Sequence, residues 1–174
     1  MASGINIRTF FEGKWHEGNI PVIRAADHGS WLGSTVFDGA RYFDGMAPDL
    51  DLHSSRVNRS AEAMLLTPTM AAQEIEGIAR DGFKLYDKTA ALYVRPMYWG
   101  IEDDGYGLGP HADYTGFALC LEEIPMSAPD NTTTLTTTSF RRPVLADNVT
   151  NAKAGCLYPN NYRMIAEARR KGFQ

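Results

Sequence analysis

The chain alternates between two hydrophobic periods. In "TFFEGKWHEG" apolar and polar residues interleave on either side of Gly13, which predicts two short strands. "STVFDGARYFDGMAPDL" holds the tripeptide Phe-Asp-Gly twice. The second copy, at 43–45, predicts a hairpin turn, because Asp-Gly supplies the positive φ that such turns need. The first sets the small Gly39 inside a strand pattern, a sign of close backbone approach. The period then lengthens. Over residues 52–66, Val57, Ala61, Met64 and Leu65 recur at helical spacing and leave Arg56 and Arg59 off the apolar stripe. Residues 69–86 predict a second amphipathic helix, with Ile75, Ile78, Ala79 and Phe83 as its stripe. "ALYVRPMYWG" predicts a strand with Tyr93 and Arg95 on one face and Val94 on the other. "TGFALCLEEI" is apolar enough for a central strand, and the β-branched run "TTTLTTTSF" predicts one more. From about residue 159 the pattern is helical again, with Arg169, Arg170 and Lys171 in the last turn and Gly172 as its stop.

Strands and helices therefore come in runs, which predicts an α+β fold. "PMSAPDN" has two prolines, small polar residues and no period, and reads as a linker. The expected organisation is a small N-terminal α+β domain over residues 1–124, an antiparallel sheet with two helices. A linker over 125–131 and the start of a second domain over 132–174 follow. A chain of 174 residues, 44% hydrophobic, can bury a core without staples. Its net charge of -4 and pI near 5.5 argue against nucleic acid or an anionic membrane surface as partner. No run approaches the ~18 apolar residues that a membrane span needs, and "MASGINIRTFFEGK" lacks the apolar core of a signal peptide. Cys120 and Cys156 lack metal-ligand spacing, so a reduced, cytoplasmic setting is expected.

Few residues stand out as chemistry on spacing alone. Gly105, Gly107 and Gly109 lie in a loop where Pro110 follows instead of a helix, which argues for a mobile loop over a phosphate cradle. His16, His28, His53 and His111 are scattered, and no metal site is expected. Arg56 is either a solvated helix cation or an anion clamp, since a guanidinium matches phosphate geometry. Arg95, in an aromatic strand, is either paired in a core or aimed at a carboxylate ligand. Lys153, flanked by Ala152, Ala154 and Gly155, is either an exposed charge or an amine for covalent work.

Taken in order, "STVFDGARYF", "LHSSRVNRSAEA", "YVRPMYWG", "FRRP" and "NAKAG…Y…EARRKGF" resemble the branched-chain amino acid aminotransferases. These are class IV pyridoxal-phosphate enzymes of fold type IV, and the resemblance runs over nearly the whole chain. It implies that Lys153, the lysine of the Lys-Ala-Gly motif, bonds covalently to pyridoxal 5'-phosphate (PLP) and shuttles the proton. It further implies that Tyr158 lies near the cofactor's phenolic oxygen and that Arg56 contacts its phosphate. Phe37 and Gly39 would line the substrate pocket, and Tyr93 and Arg95 would meet substrate carboxylates. The implied reaction moves an amino group between a branched-chain L-amino acid and 2-oxoglutarate, in a homodimer. The second domain would then be the α/β pseudo-barrel that completes the cofactor site.

Some positions depart from the family pattern. Cys156-Leu157-Tyr158 stands for Gly-Asn-Tyr, Leu32 for a pocket tyrosine, and Met126 for a junction tryptophan. Such changes leave open the substrates of relatives in the same fold type: D-amino acids, amines or aminodeoxychorismate. The family continues past "EARRKGF" into a larger domain, so the sequence is expected to belong to a longer protein, and an inert binding or dimerisation domain is the alternative to an active chain.

Overall fold

The computed structural model describes residues 4–173. Strands β1 (Ile5–Phe11) and β2 (Lys14–Glu17) form the hairpin expected around Gly13. A four-residue helix α1 (His28–Trp31) leads to β3 (Thr35–Phe37) and β4 (Ala40–Tyr42). Helices α2 (Leu50–Ala63) and α3 (Ala72–Phe83) come next, then the long strands β5 (Leu92–Gly100) and β6 (Thr115–Glu123). After an irregular stretch, a 3-10 turn over Gly155–Leu157 runs into α4 (Tyr158–Arg170). The architecture is α+β, as expected.

The sheet is antiparallel, in the order β2-β1-β6-β5-β3, with β4 also on β5. β3 and β4 lie end to end along one edge of β5 in a single register: Phe37 opposes Met97 and Ala40 opposes Val94. Asp38 and Gly39 between them consequently face Pro96 and Arg95, and the Asp38 amide donates to the Pro96 carbonyl at 3.0 Å. Successive side chains of a strand point to opposite faces. Val36, Asp38 and Ala40 therefore turn inward beneath α2, together with Val94, Tyr98, Leu119 and Leu121. Val57 from α2 and Ile75 and Ala79 from α3 close this core. Full burial stabilises the fold by roughly 1.5–3 kcal/mol for each such leucine or valine. Phe37, Arg41, Tyr93, Arg95, Met97, Cys120 and Glu122 occupy the outer face.

Several expectations shift in detail. α2 ends at Ala63, and Leu65 takes a left-handed φ of 60°. That turn swings Leu65 out to 72% exposure, and Leu66 is buried in its place. α3 starts later than predicted, because the Glu74 carboxylate accepts from the Ala71 amide at 2.7 Å and fixes the first turn there. Ile78 is only half-buried. The stretch 132–140 forms no strand: β-propensity measures fit to a pleated surface, and none of the sheet's ladders reaches it. The Asp44-Gly45 turn forms as predicted, with positive φ at both residues and Phe43 and Met46 exchanging both backbone hydrogen bonds. α4 stops as predicted. Gly172 adopts φ +85° and donates to the Arg169 carbonyl, while Phe173 donates to Ala168.

Candidate active site

Lys153 has no regular element of its own, and neighbours place its backbone. Its amide donates to Ser60 Oγ on α2 at 3.0 Å, and its carbonyl accepts from the Phe37 amide at 3.1 Å. Ala154 forms an isolated antiparallel bridge with Val36, so this segment docks on the free edge of β3. Gly155 allows that docking, since a Cβ there would collide with Thr35 Oγ1. Thus anchored, the Lys153 ammonium donates to the Tyr158 hydroxyl at 2.5 Å and lies 4.6 Å from the Phe37 ring centroid. The Phe37 and Tyr158 rings are 5.0 Å apart, so amine, phenol and apolar ring form one cluster.

Arg56 lines the same cleft of about 330 Å³, along with Arg142, Asn151, Lys153, Tyr158 and Asn161. Its guanidinium forks onto Asp38, through Nε to Oδ2 and Nη2 to Oδ1, both at 2.6 Å. Asp38 is completely buried, on the inner face of the sheet. A buried carboxylate is tolerated only when its oxygens are filled. Here His53 Nδ1 at 2.8 Å and the Gly39 amide at 2.6 Å add to the fork. Burial pushes the Asp38 carboxyl up, but the hydrogen bonds from Arg56, His53 and Gly39 outweigh it and hold the group below its ordinary 3.8. The hydrogen bond to Asp38 in turn raises Arg56. The fork employs Nε and Nη2; among the described residues no protein group takes Nη1. Arg56, Arg142 and Lys153 thus bring three cations to one cleft, which suits a phosphate.

Tyr93 and Arg95 share the outer face. Tyr93 leans over Gly39, where any Cβ would strike its ring and hydroxyl. This is the close approach that the glycine in the strand pattern implied. Burial raises the Tyr93 phenol above its usual range. Arg95 lies 5.7 Å from the Tyr93 ring centroid and is ion-paired with Glu122 on β6. Of the two readings of Arg95, this structure displays the internally paired one.

The seven residues that the resemblance assigned to the site all belong to this region, and Arg59 is exposed. Lys153, Tyr158 and Phe37 are in mutual contact, Arg56 shares their cleft, and Gly39, Tyr93 and Arg95 adjoin on the outer face. Sequence reasoning missed Asp38, His53, Ser60 and Glu122. His53, Arg56 and Ser60 are spaced i, i+3 and i+7 on one helix face, a usable signal. Nothing in the sequence said that Asp38 would meet them.

An anchored lysine thus stands beside a cation-lined cleft at the sheet edge. Residues 35–174 match the family model of amino-transferase class IV, and the chain belongs to that family. It is 26% identical to the branched-chain-amino-acid aminotransferase of Salmonella typhimurium over 170 residues, 92% of this chain and 53% of that protein. The crystal structure of an aminotransferase from Brucella abortus bound to the cofactor PLP is similar at 52% identity and a TM-score of 0.94, over 97% of this chain and 60% of that one. The Escherichia coli branched-chain amino acid aminotransferase shares the fold, with a TM-score of 0.80 at 23% identity over 97% of this chain and 58% of that one. The chain spans about half the length of the curated relatives it matches.

Proposed function

We propose that this chain contributes the lysine half of a PLP-dependent transamination site, moving an amino group between a branched-chain L-amino acid and 2-oxoglutarate. The observation that carries the reading is the Lys153 ammonium, 2.5 Å from the Tyr158 hydroxyl and in one cleft with the Arg56 fork. The residues fit the cofactor's chemistry: an amine for its aldehyde, a phenol for its phenolic oxygen, and a pre-formed guanidinium for its phosphate. When bound, PLP supplies a conjugated ring that spreads the charge left by Cα deprotonation.

The chain's own residues do the rest. Asp38 and His53 keep the Arg56 fork oriented, so Arg56 would hold the cofactor's phosphate without reorganisation. Lys153 Nζ, as a free amine, would take the substrate Cα proton and give it back to the carbon that comes from the cofactor's aldehyde, with Tyr158 steadying that nitrogen. Phe37 and Met97 form an apolar wall for a branched side chain, and Tyr93 and Arg95 offer polar ends for carboxylates. The domain boundary at 125–131, a homodimeric assembly and a cytoplasmic setting belong to the same reading.

Borohydride reduction in the presence of PLP, followed by peptide mapping, tests it. Label concentrates on Lys153; equal label on Lys14, Lys84, Lys88 and Lys171 would defeat the assignment. Exchange of L-leucine or L-valine with 2-oxoglutarate tests the substrates, and exchange with the D-enantiomers alone would reassign the stereochemistry.

A further inference from the structure

The Arg95–Glu122 pair does not follow from the proposed reaction. Glu122 is buried at 7% exposure, while the Arg95 side chain keeps 34%. The Glu122 carboxylate is held from other directions as well: Oε2 accepts from the Gly4 amide at 3.2 Å, and Cys120 Sγ lies 3.8 Å from Oε1. It is a pre-organised anion, fixed by the β5–β6 ladder beside the guanidinium. A substrate with a second carboxylate would have to displace it, and a tethered group competes at high effective concentration. A substrate with an apolar side chain would rest that side chain on Phe37 and Met97 and leave the pair intact. Arg41, on the same face, is turned to the Ile124 carbonyl at 2.5 Å and Met126 Sδ at 3.0 Å.

We infer that Glu122 is a specificity-determining residue: by occupying Arg95 it tilts the pocket toward monocarboxylic amino and 2-oxo acids with apolar side chains and weakens binding of dicarboxylic ones. The inference rests on the proposed reading of this face as the substrate pocket. It deepens that reading, because the acceptor 2-oxoglutarate then binds only by opening a buried ion pair.

The test uses the PLP-loaded protein and two acids that cannot react, glutarate and 4-methylpentanoate, titrated calorimetrically against the wild type, Glu122→Gln and Glu122→Ala. The wild type prefers 4-methylpentanoate about tenfold or more, and both variants bind glutarate about tenfold more tightly with 4-methylpentanoate within about twofold. A general loosening of the fold weakens both ligands, so the ratio isolates specificity. The Arg95 Nε–H resonance shifts on adding glutarate to Glu122→Gln and stays in place in the wild type. An unchanged ratio in both variants overturns the inference, as does a glutarate gain without the Arg95 shift. Binding of neither acid by a protein that still carries PLP on Lys153 also overturns it and leaves the cofactor reading standing. Failure to hold PLP removes both.

Discussion

Two arginine–carboxylate pairs flank one strand edge, and they do opposite things. On the inner face, Asp38 is sealed under α2 and accepts from Arg56 twice, from His53 and from the Gly39 amide. Its partner Arg56 remains 48% exposed, with one nitrogen edge open to the cleft. On the outer face, Glu122 meets Arg95 through a single nitrogen, Nη2, and the contact occupies the cation. The number of bonds is less instructive than which edge they use. A carboxylate behind a guanidinium aims it; a carboxylate in front of it competes with the ligand.

The sharpest way to break the contrast is Asp38→Asn. The amide cannot balance the buried fork, and the fold should lose about 2 kcal/mol, below the 3–5 of a wholly buried pair because Arg56 is half-exposed. Urea unfolding measures it. The same variant should flatten the acid limb of stability. The folded carboxyl titrates below its ordinary 3.8, so its contribution is complete above that value and is lost as the pH falls through the folded pKa. Wild type minus variant, followed from pH 6 downward, should shrink across that window; a constant difference refutes the linkage.

Arg56→Lys should hold PLP about tenfold more weakly, since an ammonium cannot span both Asp38 oxygens and still face a phosphate. A spectrophotometric cofactor titration reads the change. Glu122→Gln should cost only about 1 kcal/mol in the same unfolding assay, because Arg95 can turn to water; a loss as large as that of Asp38→Asn would erase the contrast. Arg59→Ala, one helical turn along and exposed, should stay within about 0.5 kcal/mol and leave PLP affinity unaltered.

The sequence carried the sheet well, because the alternating run "ALYVRPMYWG" and the continuously apolar run "TGFALCLEEI" are long enough to override local noise. It also carried Lys153, Tyr158 and Arg56 as candidates, through a motif resemblance more than through spacing. Asp38 was hidden because both neighbours, Phe37 and Gly39, drew the reading to the substrate pocket. Only the β3–β4 register on β5 turns the residue between them inward to meet α2. Glu122 was hidden for a similar reason: it lies 27 positions from Arg95, and cross-strand pairing decides that contact. The run at 132–140 misled in the other direction, with strand-like residues and no ladder beside them.

Lys153 owes its position to Ser60, 93 positions upstream, and to Phe37 beyond it. Contacts so distant along the chain form only after a large loop has closed, and they set the slow end of assembly. The amine is therefore in register only when the sheet edge and α2 already stand. The appearance of cofactor absorbance during refolding should lag the recovery of sheet signal, which makes PLP capture a clock for the final step of folding.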